Sequence, residues 1–252
     1  MAEADSAFSG RTVKKVSITT GELYGNCRLL FFDLFFTLIK PEYCPDMSEN
    51  EVLGLSIEEW ESYAEDKALY LERAGGFVTE ESKIIEDITM LLPMRVNPFQ
   101  KKELLRQRKA RMRHALMNVD GRILEMLERL KLSGWKLCLI SNADVIDCMY
   151  WKESPLFSCF DKALFSCCER LLKPDVRIYQ RAMQYMNCTP EQSIFIGDGG
   201  SDELRGAENA GMKTVFTEYL ERKPEERRRE LMKEADWHIT DIAELPGIVS
   251  RG

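Results

Sequence analysis

The apolar positions of the chain fall into short continuous runs and longer stretches with helical spacing. Residues 29–34 form the first run, and its lack of alternation predicts a strand buried on both faces, as parallel sheets require. Five later apolar runs also predict strands: WKLCLIS, KALFS, SIFIG, KTVF and WHI. Helical patterns separate these runs near residues 121–134, 143–152, 175–186, 202–210 and 224–234. This alternation predicts an α/β fold built on a doubly wound parallel sheet.

Between the first and second predicted strands the pattern is helical throughout. Ser48 and Ser56 each precede a glutamate by three residues, the spacing of a capping box. Apolar residues recur at three- and four-residue steps over residues 57–71, and Gly75 is expected to end that helix. Further helices are predicted over residues 79–92 and from Phe99 onward.

These patterns divide the chain into an extension, a core and an insert. Residues 1–28 are expected to form an N-terminal extension with one short strand near residues 16–18. Residues 29–40 and 119–252 are expected to form the α/β core. Residues 41–118 are expected to form a helical cap, inserted after the first strand of the core.

Polar side chains follow the predicted strands, where ligands bind in open α/β sheets. These are Asp33 and Thr37 after the first strand, Ser141 and Asn142 after the second, Lys173 downstream of the third, and Asp198 after the fourth. A carboxylate can attack phosphorus, and a second carboxylate can help to hold Mg²⁺. A hydroxyl and an amine can neutralise phosphoryl oxygens in the transition state. The combination indicates phosphoryl transfer.

Four stretches resemble the motifs of the haloacid dehalogenase-like (HAD) superfamily: FFDLFFTL, LISNAD, LKPDVRIY and IFIGDGGSDELRGAENAGM. The resemblance covers residues 29–40 and 119–245, and the helical insert is similar to the cap of the C1 subgroup. It implies a Rossmann-like core and a hydrolase with a small phosphorylated substrate. It also implies a cap that opens and closes over the substrate and excludes water.

The resemblance also implies a role for each motif residue. Asp33 would be the nucleophile, with Ser141, Asn142 and Lys173 as its catalytic partners. Those three residues and Thr37 would bind the substrate phosphate. Mg²⁺ would be held by Asp33, the backbone carbonyl of Phe35 and Asp198, with Asp202 as a supporting acid.

One position departs from the motif of the phosphatases, which read D-x-D-x-T where this chain has Phe35. The second aspartate of that motif is the general acid and base, a contribution of roughly 10²–10⁴-fold. Three interpretations follow. In the first, the protein is a phosphatase that works without this acid or uses one supplied by Glu42 or Asp46. In the second, it is a 2-haloacid dehalogenase, whose halide leaves without a proton. In the third, it binds a phosphorylated ligand or a protein partner without turnover. The aspartates of the fourth motif favour the magnesium-dependent phosphatase.

Composition narrows the function further. The net charge of −7 argues against general nucleic-acid binding, and the chain has no 18-residue apolar run that would span a membrane. The first 15 residues lack the apolar segment of a secretory signal, and the eight scattered cysteines are expected to be free thiols, so a cytoplasmic protein is predicted. The oligomeric state is left open.

Three further side chains carry expectations about the cap. Arg111 or Arg113, in the basic stretch 100–114, is expected to face the cleft and attract an anionic substrate. Tyr70 is expected to pack inside the cap.

Overall fold

The computed structural model describes residues 29–249. The predicted strand near residues 16–18 and the rest of the extension lie outside the described residues, as do residues 250–252. All six predicted strands are present and form one sheet: β1 (Leu29–Phe32), β2 (Lys136–Ser141), β3 (Lys162–Phe165), β4 (Ser193–Gly197), β5 (Lys213–Thr217) and β6 (Trp237–Ile239).

The strands are all parallel and run in the order β3-β2-β1-β4-β5-β6. The direction of winding reverses between β1 and β4, which are neighbours in the sheet. Phe32 at the end of β1 aligns with Leu139 on one side and Ile196 on the other. The crevice at such a reversal is where doubly wound sheets bind ligands.

Both faces of the sheet are buried, which explains the unbroken apolar runs. Leu30 and Phe32 point into one hydrophobic cluster, whereas Leu29 and Phe31 point into another on the opposite face. Because every position of β1 is covered, a polar residue first becomes tolerable where the strand ends, at Asp33.

Four helices form the insert after β1: α1 (Ile57–Ala64), α2 (Lys67–Ala74), α3 (Glu81–Leu91) and α4 (Pro98–Met117), preceded by a 3₁₀ helix at Glu49–Leu53. The single helix expected over residues 57–71 is wrong. Asp66 interrupts it, because its carboxylate accepts hydrogen bonds from the amides of Ala68 (3.0 Å) and Leu69 (3.1 Å) and begins a new helix.

The two predicted capping boxes have different outcomes. The one at Ser56 is confirmed. The one at Ser48 is wrong, because its hydroxyl donates to the carbonyl oxygen of Cys44 (2.7 Å) instead of accepting from the helix. The four helices have a hydrophobic cluster of their own, which includes Trp60, Ile85 and Leu104.

Seven further helices cover the sheet: α5 (Gly121–Leu132), α6 (Val145–Cys148), α7 (Ser166–Glu169), α8 (Val176–Met186), α9 (Glu203–Asn209), α10 (Glu225–Glu234) and α11 (Leu245–Val249). Short 3₁₀ helices occur at Trp151–Glu153, Pro155–Ser158, Pro190–Gln192, Gly200–Asp202 and Ile242–Glu244. The helix expected over 143–152 is shorter in the structure, where α6 ends at Cys148 and a separate 3₁₀ helix begins at Trp151. Within residues 29–249, no helix is long and apolar enough to cross a membrane. The cysteines in this range are free.

Candidate active site

Asp33 lies at the centre of the carboxyl edge of the sheet. Its amide still bonds the carbonyl oxygen of Ile196 on β4 (2.9 Å), so the sheet fixes its backbone. One carboxylate oxygen pairs with the ammonium of Lys173, and the other accepts from the hydroxyl of Thr37 (3.2 Å). Both partners are buried, which holds the carboxylate in a single orientation.

Lys173 is held by Asn142, which follows β2. The Asn142 side-chain amide donates to the carbonyl oxygen of Lys173 (3.0 Å) and accepts from its amide nitrogen (2.8 Å). This two-point contact fixes the Lys173 backbone. The ammonium can then reach both Asp33 and Glu203, the latter at 2.5 Å. Asn142 therefore positions the lysine.

Asp198 follows β4 and completes a group of three buried carboxylates with Asp33 and Glu203. One oxygen from each lies within 4.8 Å of the others. Glu203 begins α9, and its other oxygen accepts from the amide of Gly199 (3.2 Å). Gly197 is required here, because a Cβ at that position would lie 2.1 Å from the Glu203 carboxylate. We call Asp33, Lys173, Asp198 and Glu203 the floor cluster.

Asp202, expected beside the metal, does not lie in this cluster. Its carboxylate is exposed and pairs with Arg227 (3.2 Å). Ser201 and Asp202 both adopt left-handed backbone angles, and this turn brings the following residue, Glu203, into the site. Glu203 was missed by the sequence reasoning, although it stands next to Asp202 in the fourth motif. The adjacent pair of acids was the available signal.

Burial dominates the protonation of the floor cluster. It raises the pKa of Asp33, and the nearby Asp198 charge adds to the rise while Lys173 opposes it. Burial and Asp33 raise the pKa of Glu203 well above its usual range, again against Lys173. Burial alone would lower the pKa of Lys173, but the carboxylates of Asp33 and Glu203 raise it, so the lysine remains an ammonium.

Two other expected site residues show distinct environments. Ser141 is fully buried at the end of β2, and its hydroxyl has no hydrogen-bond partner among the described residues. Phe35 is half-buried, lines the cavity above Asp33, and packs against both the core and the helical insert. The next residue, Phe36, has a φ of 58°, a left-handed conformation uncommon for an aromatic residue.

A cavity of about 390 Å³ opens above the floor cluster. The insert supplies its opposite wall with Pro41, Tyr43, Glu61, Glu65, Tyr70, Arg73, Arg108, Arg111 and Met112. Tyr70 therefore lines the cavity instead of packing within the insert. Its side chain lies near Asn142 and Ser201 on the core, and burial raises the pKa of its hydroxyl.

The structure also separates the other side chains expected near the cleft. Arg111 lines the cavity, but its guanidinium pairs with Glu49 (2.8 Å) and lies over the ring of Tyr43. Arg113 is exposed and pairs with Glu153 (2.9 Å). Glu42 and Asp46, the suggested replacement acids, lie outside the described residues that line the cavity.

A second group of buried charges joins the insert to the core. Asp144 accepts from Arg73 of α2 (3.1 Å) and from Arg108 of α4 (2.8 Å). Arg108 also bonds Asp147 (3.1 Å), and Asp144 caps α6 with its other oxygen. These four residues, which we call the junction cluster, were not found from the sequence. The arginines lie 71 and 36 positions before Asp144, and no spacing pattern connects them.

The donor set of the floor cluster fits a hard divalent cation. Its three buried carboxylates face two ammonium groups, Lys173 on Asp33 and Glu203 and Lys223 on Asp198, so the carboxylates outnumber the cations. Carboxylate oxygens are the ligands such cations prefer. Asp33, Asp198 and Glu203 are the described side chains that could hold it.

The family model for haloacid dehalogenase-like hydrolases matches residues 75–217, more than half of the chain. The chain belongs to this family. A curated relative, glyceraldehyde 3-phosphate phosphatase of Pyrococcus furiosus, is 31% identical over 128 residues. The match covers 50% of this chain and spans about half (52%) of the relative's length.

Solved structures share the fold at low identity. A dehalogenase with an intermediate complex has a TM-score of 0.62 at 20% identity, covering 90% of this chain and 98% of that chain. A HAD family enzyme from Bacteroides thetaiotaomicron, solved with magnesium and inorganic phosphate, has a TM-score of 0.59 at 19% identity, covering 75% and 93%.

Proposed function

We propose that this chain is a magnesium-dependent phosphatase that hydrolyses a small phosphorylated metabolite through an aspartyl-phosphate on Asp33. One observation carries the proposal. A buried carboxylate, oriented by Thr37 and Lys173, lies at the floor of a cavity the size of a small molecule. The phosphatase relative and the magnesium and phosphate complex of the Bacteroides enzyme support this choice within the family.

In this proposal each floor residue has a separate task. An oxygen of Asp33 attacks phosphorus and the bond to the leaving oxygen breaks; water then cleaves the acyl phosphate. Lys173, fixed by Asn142, neutralises a phosphoryl oxygen. Ser141, whose buried hydroxyl has no partner among the described residues, would bind the same group, as the family resemblance implies. Mg²⁺ would be held by Asp33, Asp198 and Glu203, and would neutralise phosphoryl charge as a Lewis acid.

Phe35 restricts the leaving groups that this site can release. Its ring borders the cavity where the phosphatase motif carries an acid, and a phenyl group cannot donate a proton. We infer that activity is highest for substrates whose leaving oxygen needs no protonation, such as acyl phosphates and aryl phosphates. We also propose that residues 41–118 act as a C1-type cap, whose closed position the junction cluster stabilises.

Phosphate release from phosphate monoesters and acyl phosphates, measured with Mg²⁺, tests the proposal. We expect Asp33→Asn to abolish release, because the amide cannot form the acyl phosphate. Asp87→Asn is the matched control, since Asp87 pairs with Lys83 on α3, away from the cavity. Activity that survives Asp33→Asn would contradict the proposal.

Phe35 also keeps a second function open, a 2-haloacid dehalogenase, because halide departure needs no proton. The dehalogenase among the structural neighbours shares the fold. Halide release from a 2-haloacid in EDTA, lost in Asp33→Asn, would favour this reaction over phosphate release. Thermal stabilisation by phosphorylated ligands without any product would favour a binding protein.

A further inference from the structure

Lys223 brings a second ammonium into the candidate site. Its Nζ donates to one oxygen of Asp198 (2.5 Å) and to Glu221 (3.0 Å), and lies over the ring of Phe36. The side chain is only 16% exposed and lines the cavity. No motif in the sequence pointed to this lysine.

The backbone around Lys223 is anchored, so this contact is part of the built site. Glu218, at the end of β5, accepts from the Lys223 amide (3.1 Å). The same glutamate is bonded by Arg228 (2.7 Å) and His238 (2.8 Å). Residues 218–224 therefore form a tied loop that delivers the ammonium to Asp198.

Because Lys223 is bonded to Asp198, its ammonium would compete with any metal ion that binds the same carboxylate. Lys173 already serves Asp33 and Glu203, which leaves Lys223 as the counter-ion of the third carboxylate. The other Asp198 oxygen accepts from the amide of Gly200 (3.1 Å). Both oxygens of Asp198 are thus engaged by the chain, and a metal ion on either oxygen would share the carboxylate with the Lys223 ammonium. Two cations on one carboxylate repel each other strongly in a buried place.

We propose that Lys223 is a tethered cation that competes with the divalent metal for Asp198, and that metal binding transfers its ammonium onto Glu221. The inference rests on the proposed function only for the location of the metal. Glu221 is the acceptor because it already bonds Lys223 and lies on the same loop. Lys223 thereby sets the metal affinity and couples metal occupancy to the position of the loop 218–224.

Titration with Mn²⁺, followed by the electron paramagnetic resonance signal of the free ion, measures this competition without an activity assay. We expect Lys223→Met to tighten Mn²⁺ binding on the order of ten- to a hundredfold, because a repelling charge a few ångströms from the ion is removed. Lys223→Arg keeps the charge and should stay within about threefold of the wild type. Lys213→Met is the matched control, since Lys213 pairs with Asp236 (2.7 Å) at the opposite end of β5.

Glu221→Gln is expected to change the Mn²⁺ affinity in the opposite direction. In the metal-bound state Glu221 would be the remaining counter-ion of Lys223, so its loss should weaken Mn²⁺ binding. Binding to Lys223→Met that is no tighter than to the wild type overturns the inference, as does unchanged or tighter binding to Glu221→Gln. Absence of Mn²⁺ binding in every variant overturns the metal site itself. Tightening in Lys223→Met without any phosphatase activity would retain this inference and remove the proposed function.

Discussion

The floor cluster and the junction cluster are near mirror images in charge. On the floor, one ammonium, that of Lys173, bonds two carboxylates; at the junction, one carboxylate, that of Asp144, bonds two guanidinium groups. All the floor residues come from the core, whereas the junction joins helices of the insert to the loop after β2. The floor cluster therefore orients the candidate reactive groups, and the junction cluster fixes the position of the insert, which forms the opposite wall of the cavity.

The two clusters also differ in how far they are charge-compensated. On the floor, Lys173 does not bond the third carboxylate, that of Asp198, which pairs with Lys223 instead. At the junction, each arginine has a carboxylate besides Asp144: Asp147 pairs with Arg108 (3.1 Å) and Glu65 pairs with Arg73 (2.6 Å). Removing Lys173 leaves two buried carboxylates without their counter-ion, which is the costly case for buried ion pairs. Removing Asp144 leaves each arginine with its other carboxylate.

Lys173→Met is expected to have the largest effect on stability. It leaves Asp33 and Glu203 buried without their counter-ion, and we expect the free energy of unfolding to fall by about 3–5 kcal/mol. Denaturant unfolding measures this loss. Lys152→Met, at an exposed lysine, is the control. The added substitution Glu203→Gln should restore part of the loss. A loss in Lys173→Met that does not exceed the control would show that the floor is not held by this ion pair.

Asp144→Asn tests the junction in the same way. Asparagine can still cap α6, but an amide replaces the charge between Arg73 and Arg108. We expect the free energy of unfolding to fall by about 2–4 kcal/mol, less than on the floor because Asp147 still serves Arg108. Asp87→Asn is the control, because Asp87 pairs with a single, half-exposed partner, Lys83, and its loss should cost about 1 kcal/mol. Equal losses in the two variants would mean that the junction is not a stabilising contact.

The difference between the clusters explains what the sequence could predict. Asp33, Asn142 and Asp198 each directly follow a buried strand, so the apolar runs of the sequence locate them. Parallel pairing of the strands then brings the three residues together. Glu203 enters the site through two consecutive left-handed residues, which no periodicity indicates.

The junction was beyond such reasoning for a different reason. Arg108 lies on a helix whose charges surround it, so its burial depends on where α4 meets α6 in three dimensions. Tyr70 was expected to pack inside the insert as one of its aromatic residues, yet Asp66 begins a separate helix, α2, whose Tyr70 faces the cavity. Helical spacing predicts that a face is buried, but it does not say against which partner.

Phe35 contacts both the core and the insert, and Phe35→Asp is the substitution with the smallest expected change in stability. Its ring packs against the core and the insert, so its loss should lower the free energy of unfolding by about 1–3 kcal/mol. The new carboxylate supplies the missing proton donor, so phosphate release from alkyl phosphates should rise roughly tenfold or more. Phe35→Leu is the matched control, since it removes the ring without adding an acid. If Phe35→Asp is no more active than Phe35→Leu, the ring serves to pack the insert onto the core, and the absence of an acid at this position does not limit turnover.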